Sequence, residues 1–261
     1  MLQALRGVRA IADVTFSEIL RDKVLYGAVV LSGVLLCLGL LVSHASFIRP
    51  DRILLDFGLL ALALSGGFLG VLSGSVVLAR EFERRTAFMA LARPITRFQF
   101  LVGKYLGVAQ VLLLTFLLLS LIYLGILKAL APESALIGRT LLESLGLLAL
   151  QSLFLAALSL FFSTFSTVSL SAVMAIGLYL VGSNLSQIRI LMLKLEQGAL
   201  RQVLEVLVSI LPNFEHFNIG LNASYGLEIP AGFVAGSVAY AVAWIAALLF
   251  VGGVFIERKD A

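Results

Sequence analysis

Charged side chains are scarce in this chain. Asp, Glu, Lys and Arg make up 13% of its 261 residues, about half of what a soluble domain carries. Hydrophobic residues make up 61%, and mean hydropathy is +1.07. A soluble fold of this length has no core large enough to hide so much apolar surface, so lipid is the solvent that this composition calls for. A single cysteine, Cys37, excludes an intrachain disulfide framework and offers no Cys-based metal cluster. The two histidines, His44 and His216, stand far apart, and no H-E-x-x-H occurs, so the zinc-enzyme pattern is missing. Gly103-Lys104 lacks both the upstream glycine and the following Ser or Thr of a phosphate loop, which removes that route to ATP.

The apolar runs that are present are long. With about 20 residues needed to cross the hydrocarbon layer, six spans are expected, at about 24–42, 57–79, 101–127, 142–162, 168–186 and 231–256. The fourth and fifth come from one uncharged stretch, Ser144–Ile188, divided at the polar turn Ser163-Thr164-Phe165-Ser166-Thr167. Some 23 polar-to-amphipathic residues precede the first run, more than a cleaved leader carries, so that run is expected to be a retained helix. Six crossings place both termini on one side. That side holds 12 Lys and Arg (Arg6, Arg9, Arg21, Lys23, Arg80, Arg84, Arg85, Arg93, Arg97, Lys104, Arg258 and Lys259), against 7 over longer loops on the other. The positive-inside rule makes the denser side cytoplasmic.

The third span is uncharged from Tyr105 to Leu127, and no Asp, Glu, Lys, Arg or His lies deep in any span, where ion-coupled transporters usually keep one. Asp56 and Glu143 stand near span ends, as headgroup-level charges do. Active transport would therefore draw its energy from elsewhere, and a separate ATPase is the natural supplier. No catalytic, cofactor or metal residue is assigned, and the chain is expected not to be an enzyme.

Three segments are more than loops. Residues 3–22 place Leu5, Val8, Ala12, Phe16 and Ile19 against Arg6, Arg9, Asp13, Ser17 and Arg21, an amphipathic helix suited to the membrane interface. Residues 80–97 carry a net charge of +3 and a helical start that Pro94 stops. Residues 187–211 set Ile188, Met192, Leu195, Ala199, Val203, Val206 and Ile210 against Lys194, Gln197, Arg201 and Glu205, and Pro212-Asn213 ends the stripe. That stripe is expected as an external helix on the outer leaflet. Gly66, Gly70 and Gly74 recur four apart in the second span, as do Gly232 and Gly236 at the sixth. Such spacing lets helix backbones approach closely, within one subunit or across a dimer.

The sequence of the charged loop is the most specific feature. It runs Ala79-Arg80-Glu81-Phe82-Glu83-Arg84-Arg85-Thr86, then Leu91-Ala92-Arg93-Pro94-Ile95-Thr96-Arg97, then Gly103-Lys104-Tyr105-Leu106-Gly107. This resembles the permease subunits of type-2 ABC transporters. Leu211-Pro212-Asn213-Phe214, Phe217-Asn218 and the ending Phe255-Ile256-Glu257-Arg258-Lys259-Asp260 resemble the subgroup grouped with multicopper-enzyme and nitrous oxide reductase maturation. The resemblance implies an all-α membrane protein that forms one permease domain over 1–261, in a bacterial inner membrane. It implies an N-terminal elbow helix (3–22), a cytoplasmic coupling helix within 80–97, and external helices over 187–228. Two permease copies would pair with two copies of a separate ABC ATPase, which binds the ATP and Mg.

By that resemblance, Glu81, Phe82, Glu83, Arg84, Arg85, Thr86, Phe88, Met89, Pro94 and Arg97 would dock into the ATPase. Apolar anchors beside an ionic rim fit a small interface of this kind. The Glu-Ala-Ala importer signature is absent, in keeping with export or extraction. Two other readings stand beside this one: an ATP-driven mechanical signaller to a periplasmic partner, and a passive channel or scaffold without an ATPase. An intramembrane enzyme would need a buried catalytic constellation, and the spans offer none.

Overall fold

The computed structural model describes residues 2–45, 50–83, 96–130, 138–194, 199–225, 227, 229–230 and 232–258. They form α1 (Leu2–Leu20), α2 (Lys23–Ala45), α3 (Pro50–Glu83), α4 (Arg97–Leu130), α5 (Arg139–Ser163), α6 (Val168–Gly182), α7 (Leu185–Leu193), α8 (Ala199–Ile210), a 3-10 turn (Glu215–Phe217), α9 (Gly220–Tyr225) and α10 (Phe233–Arg258). No strand occurs among the described residues. Helices are the expected outcome, because hydrocarbon offers backbone amides no partner and a helix satisfies them within its own segment.

Among the described residues, five helices are long and apolar enough to cross a membrane: α2, α3 over Pro50–Leu78, α4, α5 and α10 over Phe233–Ile256. A sixth crossing arises only if α6 and α7 are taken together, and these are bent by 59°. The division of the long uncharged stretch falls where the polar turn lies, since α5 ends at Ser163 and α6 begins at Val168. There the hydroxyls of Ser163, Thr164 and Ser166 donate to the carbonyls of Leu160, Phe161 and Phe162, each at 2.7 Å.

Several boundaries differ from the sequence expectation. The helix containing the second span starts at Pro50 rather than 57 and runs on to Glu83, and α4 starts at Arg97 rather than 101. Charge ends a span but not a helix, so Asp51, Arg52 and Asp56 simply extend α3. The expected fifth span, 168–186, breaks at Ser183-Asn184. The expected single stripe over 187–211 is two helices, α7 and α8, separated by residues 195–198, which lie outside the described residues.

The core is built around α3 and α5, which share the most extensive helix contact, with α2, α4, α6 and α10 packed about them. The two run parallel, since Gly70 meets Ser152 and Ala156 while Gly74 meets Ala156, Ser159 and Leu160. A Cβ on Gly70 would stand 2.6 Å from the Ser152 carbonyl oxygen, and one on Gly74 2.5 Å from that of Ala156. Ser159 donates to the Val71 carbonyl at 2.7 Å, a hydrogen bond between the two helices that this close approach permits. α1 lies along the first turns of α4.

Candidate functional site

Two regions concentrate the polar and aromatic chemistry. The first is the end of the bundle where α3 finishes and α4 begins. Thr96 and Gln99 form a reciprocal capping box at the start of α4. The Gln99 amide donates to Thr96 Oγ1 at 3.3 Å, and the Thr96 amide donates to Gln99 Oε1 at 3.2 Å. The next residue, Arg97, donates to the Ile256 carbonyl at 2.9 Å. That carbonyl is one of those left open at a helix C-terminus, so one side chain ties the start of α4 to the end of α10. Phe98 packs against Gly253, where a Cβ would come within 2.9 Å of its ring.

The same end receives α1. Gly103 and Gly107, four apart on α4, let the α1 backbone approach. A Cβ on Gly103 would stand 2.9 Å from Ile11 Cβ, and one on Gly107 2.7 Å from the Ala12 carbonyl oxygen. Between these glycines Lys104, with its side chain only 4% exposed, places Nζ 3.7 Å from Glu18 and 5.8 Å from the Phe100 ring centroid. The Gly103-x-x-x-Gly107 spacing is legible in the sequence, but nothing in the sequence alone shows that α1 is what it faces.

Of the residues assigned to docking, Glu81, Phe82 and Glu83 belong to the last turn of α3, and Arg97 opens α4. Arg84, Arg85, Thr86, Phe88, Met89 and Pro94 lie outside the described residues. Of the assigned glycines, Gly66, Gly70 and Gly74 face α5, Gly66 closing on the Ser152 hydroxyl. Gly232 precedes α10 with φ of +88°, and a Cβ on Gly232 or Gly236 would meet nothing within 4 Å.

The second region is an aromatic cluster inside the bundle, toward its other end. The segment after α8 turns back between α5, α6 and α10. Phe214 and Phe217 are fully buried there, 4.7 Å and 6.0 Å from the Phe154 ring, and Trp244 lies 6.1 Å from Phe154 on another side. The Phe214 amide donates to the Gly182 carbonyl at 3.0 Å. Gly182 is required at this contact, because any Cβ would run into the Pro212 carbonyl. The Asn213 amide donates to the Tyr240 hydroxyl at 2.7 Å, and Gln151 donates to the Tyr179 hydroxyl at 3.0 Å.

Trp244 stands 11 residues after Phe233, the first residue of α10, about 16 Å along a helix. The Pro212–Phe217 turn is therefore well inside the bundle, not on its surface. It also brings a carboxylate with it. Glu215 accepts from the Ser186 amide at 2.7 Å and from the Ser186 hydroxyl, at the start of α7. A negative charge there answers both the open amides and the positive end of the helix dipole. The sequence expectation for residues 187–228 is external helices, with no prediction that Phe214 and Phe217 enter the bundle. Phe214, Phe217 and Ile219, three large apolar residues in a supposed loop, were the available signal. α9 then returns to the start of α3, where Ser224 hydrogen-bonds Asp56 and Arg52 lies 4.7 Å over the Tyr225 ring.

A protein-family model described as "ABC-2 family transporter protein" matches residues 9–261. The chain belongs to the ABC-2 transporter family. It is thus a multi-pass membrane protein and a permease component of an ABC transporter, a role that implies association with an ABC ATPase. No curated protein matches the chain.

Proposed function

We propose that two copies of this ABC-2 permease form one membrane unit, driven by two copies of a separate ATPase, and that the unit exports or extracts its substrate at a bacterial inner membrane. The observation that carries this reading is the family match over residues 9–261. Residues 80–97 serve as the docking element, with Glu81, Phe82, Glu83, Arg84, Arg85, Thr86, Phe88, Met89, Pro94 and Arg97 meeting the ATPase. α1 serves as the elbow helix, both termini are cytoplasmic, and the chain belongs with the multicopper-enzyme and nitrous oxide reductase maturation permeases. Uncharged spans support an amphiphilic cargo. So does an apolar groove of about 310 Å³ lined by Leu31, Gly67, Phe68, Val71, Ile176 and Leu180.

ATP binding closes the ATPase pair, and the docking elements convert that closure into rigid-body tilting of the spans. Co-purification of the tagged chain from native membranes tests this directly. An ATPase with a phosphate loop is expected in equal amount, and Glu81→Gln or Arg84→Gln is expected to release it or to uncouple hydrolysis from transport. Recovery of the chain alone, without nucleotide dependence, would favour a passive channel or scaffold.

A mechanical signaller is the second reading. It is favoured by the bonds from Phe214 to Gly182 and from Glu215 to Ser186, which tie the returning segment to α6 and α7. Such ties would pass a movement of the spans to the α7–α8 hairpin. Deleting that hairpin while keeping the spans should then abolish binding of a periplasmic partner, and unchanged partner binding would reject this role.

A further inference from the structure

α7 and α8 pack on each other through a small core of Leu185, Met192 and Val208, with Ile188, Leu204 and Leu211 against it. Between the two helices lies a cavity of about 300 Å³, lined by Arg189, Met192, Arg201, Glu205, Val208 and Ser209. Arg201 spends its Nε on Glu205 at 2.9 Å, which leaves the two terminal nitrogens of its fork to other acceptors. Arg189 is exposed and makes no ion pair among the described residues. Two arginines and one glutamate give the cavity a net charge of +1.

The depth of the cavity follows from helix geometry. α6 starts at the polar turn that ends α5, and its 15 residues rise about 22 Å. Arg189 lies five residues into α7, which is bent by 59° from α6, adding about 4 Å. Taken as a sixth crossing that starts at the polar turn, the bent pair sets Arg189 about 26 Å across a hydrocarbon layer of roughly 30 Å, close to the headgroup phosphates of the far leaflet. The same hairpin exposes Ile190, Leu191, Val206 and Ile210, each by more than half. An aqueous setting would penalise those side chains, whereas the edge of the acyl layer takes them up.

We propose that this cavity holds the phosphodiester of an anionic phospholipid, with Arg189 and Arg201 on the phosphate and Met192 and Val208 under the glycerol and first methylenes. The net charge selects the lipid source. A phosphodiester carries one negative charge at any working pH and matches the site, whereas free phosphate is a mixture of singly and doubly charged forms at neutral pH, and its dianion would sit against the Glu205 carboxylate. A choline headgroup would set its cation beside the two arginines. The site is separate from the ATPase docking element, and occupancy is read without ATP, so its failure and that of the transport reading are distinguishable.

The test uses the full chain in nanodiscs of phosphatidylcholine with a minority of phosphatidylglycerol, and native mass spectrometry to count retained lipid. Phosphatidylglycerol should be enriched about fivefold over its share of the bilayer, the scale of one basic residue near a membrane surface. Enrichment should fall to parity in Arg189→Gln/Arg201→Gln, and substantially in Arg189→Gln alone, whose exposed side chain holds no part of the fold. It should persist in Lys128→Gln, which removes an exposed charge from the end of α4, and in excess inorganic phosphate. Parity in the unmodified chain, an equal loss in Lys128→Gln, or displacement by inorganic phosphate would each overturn the proposal.

Discussion

Gly70 and Gly146 are both helical glycines in membrane-crossing segments, but their surroundings separate them. Gly70 faces the Ser152 carbonyl oxygen at 2.6 Å from where a Cβ would sit, and Gly146 faces open space. Gly70→Ala must therefore push α3 away from α5. Its expected cost is about 1–3 kcal/mol, the range for overpacking a close contact, seen as a lowered Tm in detergent. Gly146→Ala should leave Tm unchanged or slightly raised, because Ala is the better helix former by up to about 1 kcal/mol. Equal effects would mean that α3 and α5 are not in backbone contact. Lys104 offers a second case. Its side chain is 4% exposed while that of Glu18 is 51% exposed. Glu18→Gln is therefore expected to cost about 1 kcal/mol, nearer to a surface pair than to a fully buried one. The loss should shrink as salt is raised, when Tm is followed against ionic strength.

The central break between α6 and α7 depends on a contact far away in sequence, Gly182 against Pro212 and Phe214. Gly182→Val should expel the Pro212–Phe217 turn from the bundle. A cysteine introduced at Phe217, fully buried in the folded chain, should then react with a water-soluble thiol reagent in the variant and resist it otherwise, in a background where Cys37 is replaced by Ser. What hydropathy made legible was each element whose surroundings are uniform: α2, α4, α5 and α10 follow uncharged runs, and the polar Ser163–Thr167 turn ends α5 as expected. What escaped was non-local. Hydropathy reports where lipid begins, not where helical hydrogen bonding ends, so α3 outruns its span at both ends. Ser183-Asn184 looks tolerable inside a span until Phe214 takes the Gly182 carbonyl. The Gly103 and Gly107 face became meaningful only once α1 was seen against it.

At the scale of the whole chain, six crossings require the ends of α1 and α10 to share one side and the starts of α3 and α5 to share the other. Single cysteines at Arg6 and Arg258 should react with a membrane-impermeant reagent only in inside-out vesicles. Those at Arg52 and Gly138 should react only from the opposite face. Labelling of Arg6 and Arg258 from different sides would reduce the crossings to five and make the bent α6–α7 pair re-entrant. One consequence of the glycine contact between α3 and α5 concerns stiffness. Two parallel rods touching backbone to backbone, with a hydrogen bond from Ser159 to Val71 across the seam, bend far less readily than either alone. α3 ends at Glu83, beside the loop assigned to docking, and α5 carries Phe154, on which the inner turn rests through Phe214. If the loop after Glu83 does meet an ATPase, a push delivered there would reach the aromatic turn as displacement rather than be lost as flexure, a lever without a hinge along it.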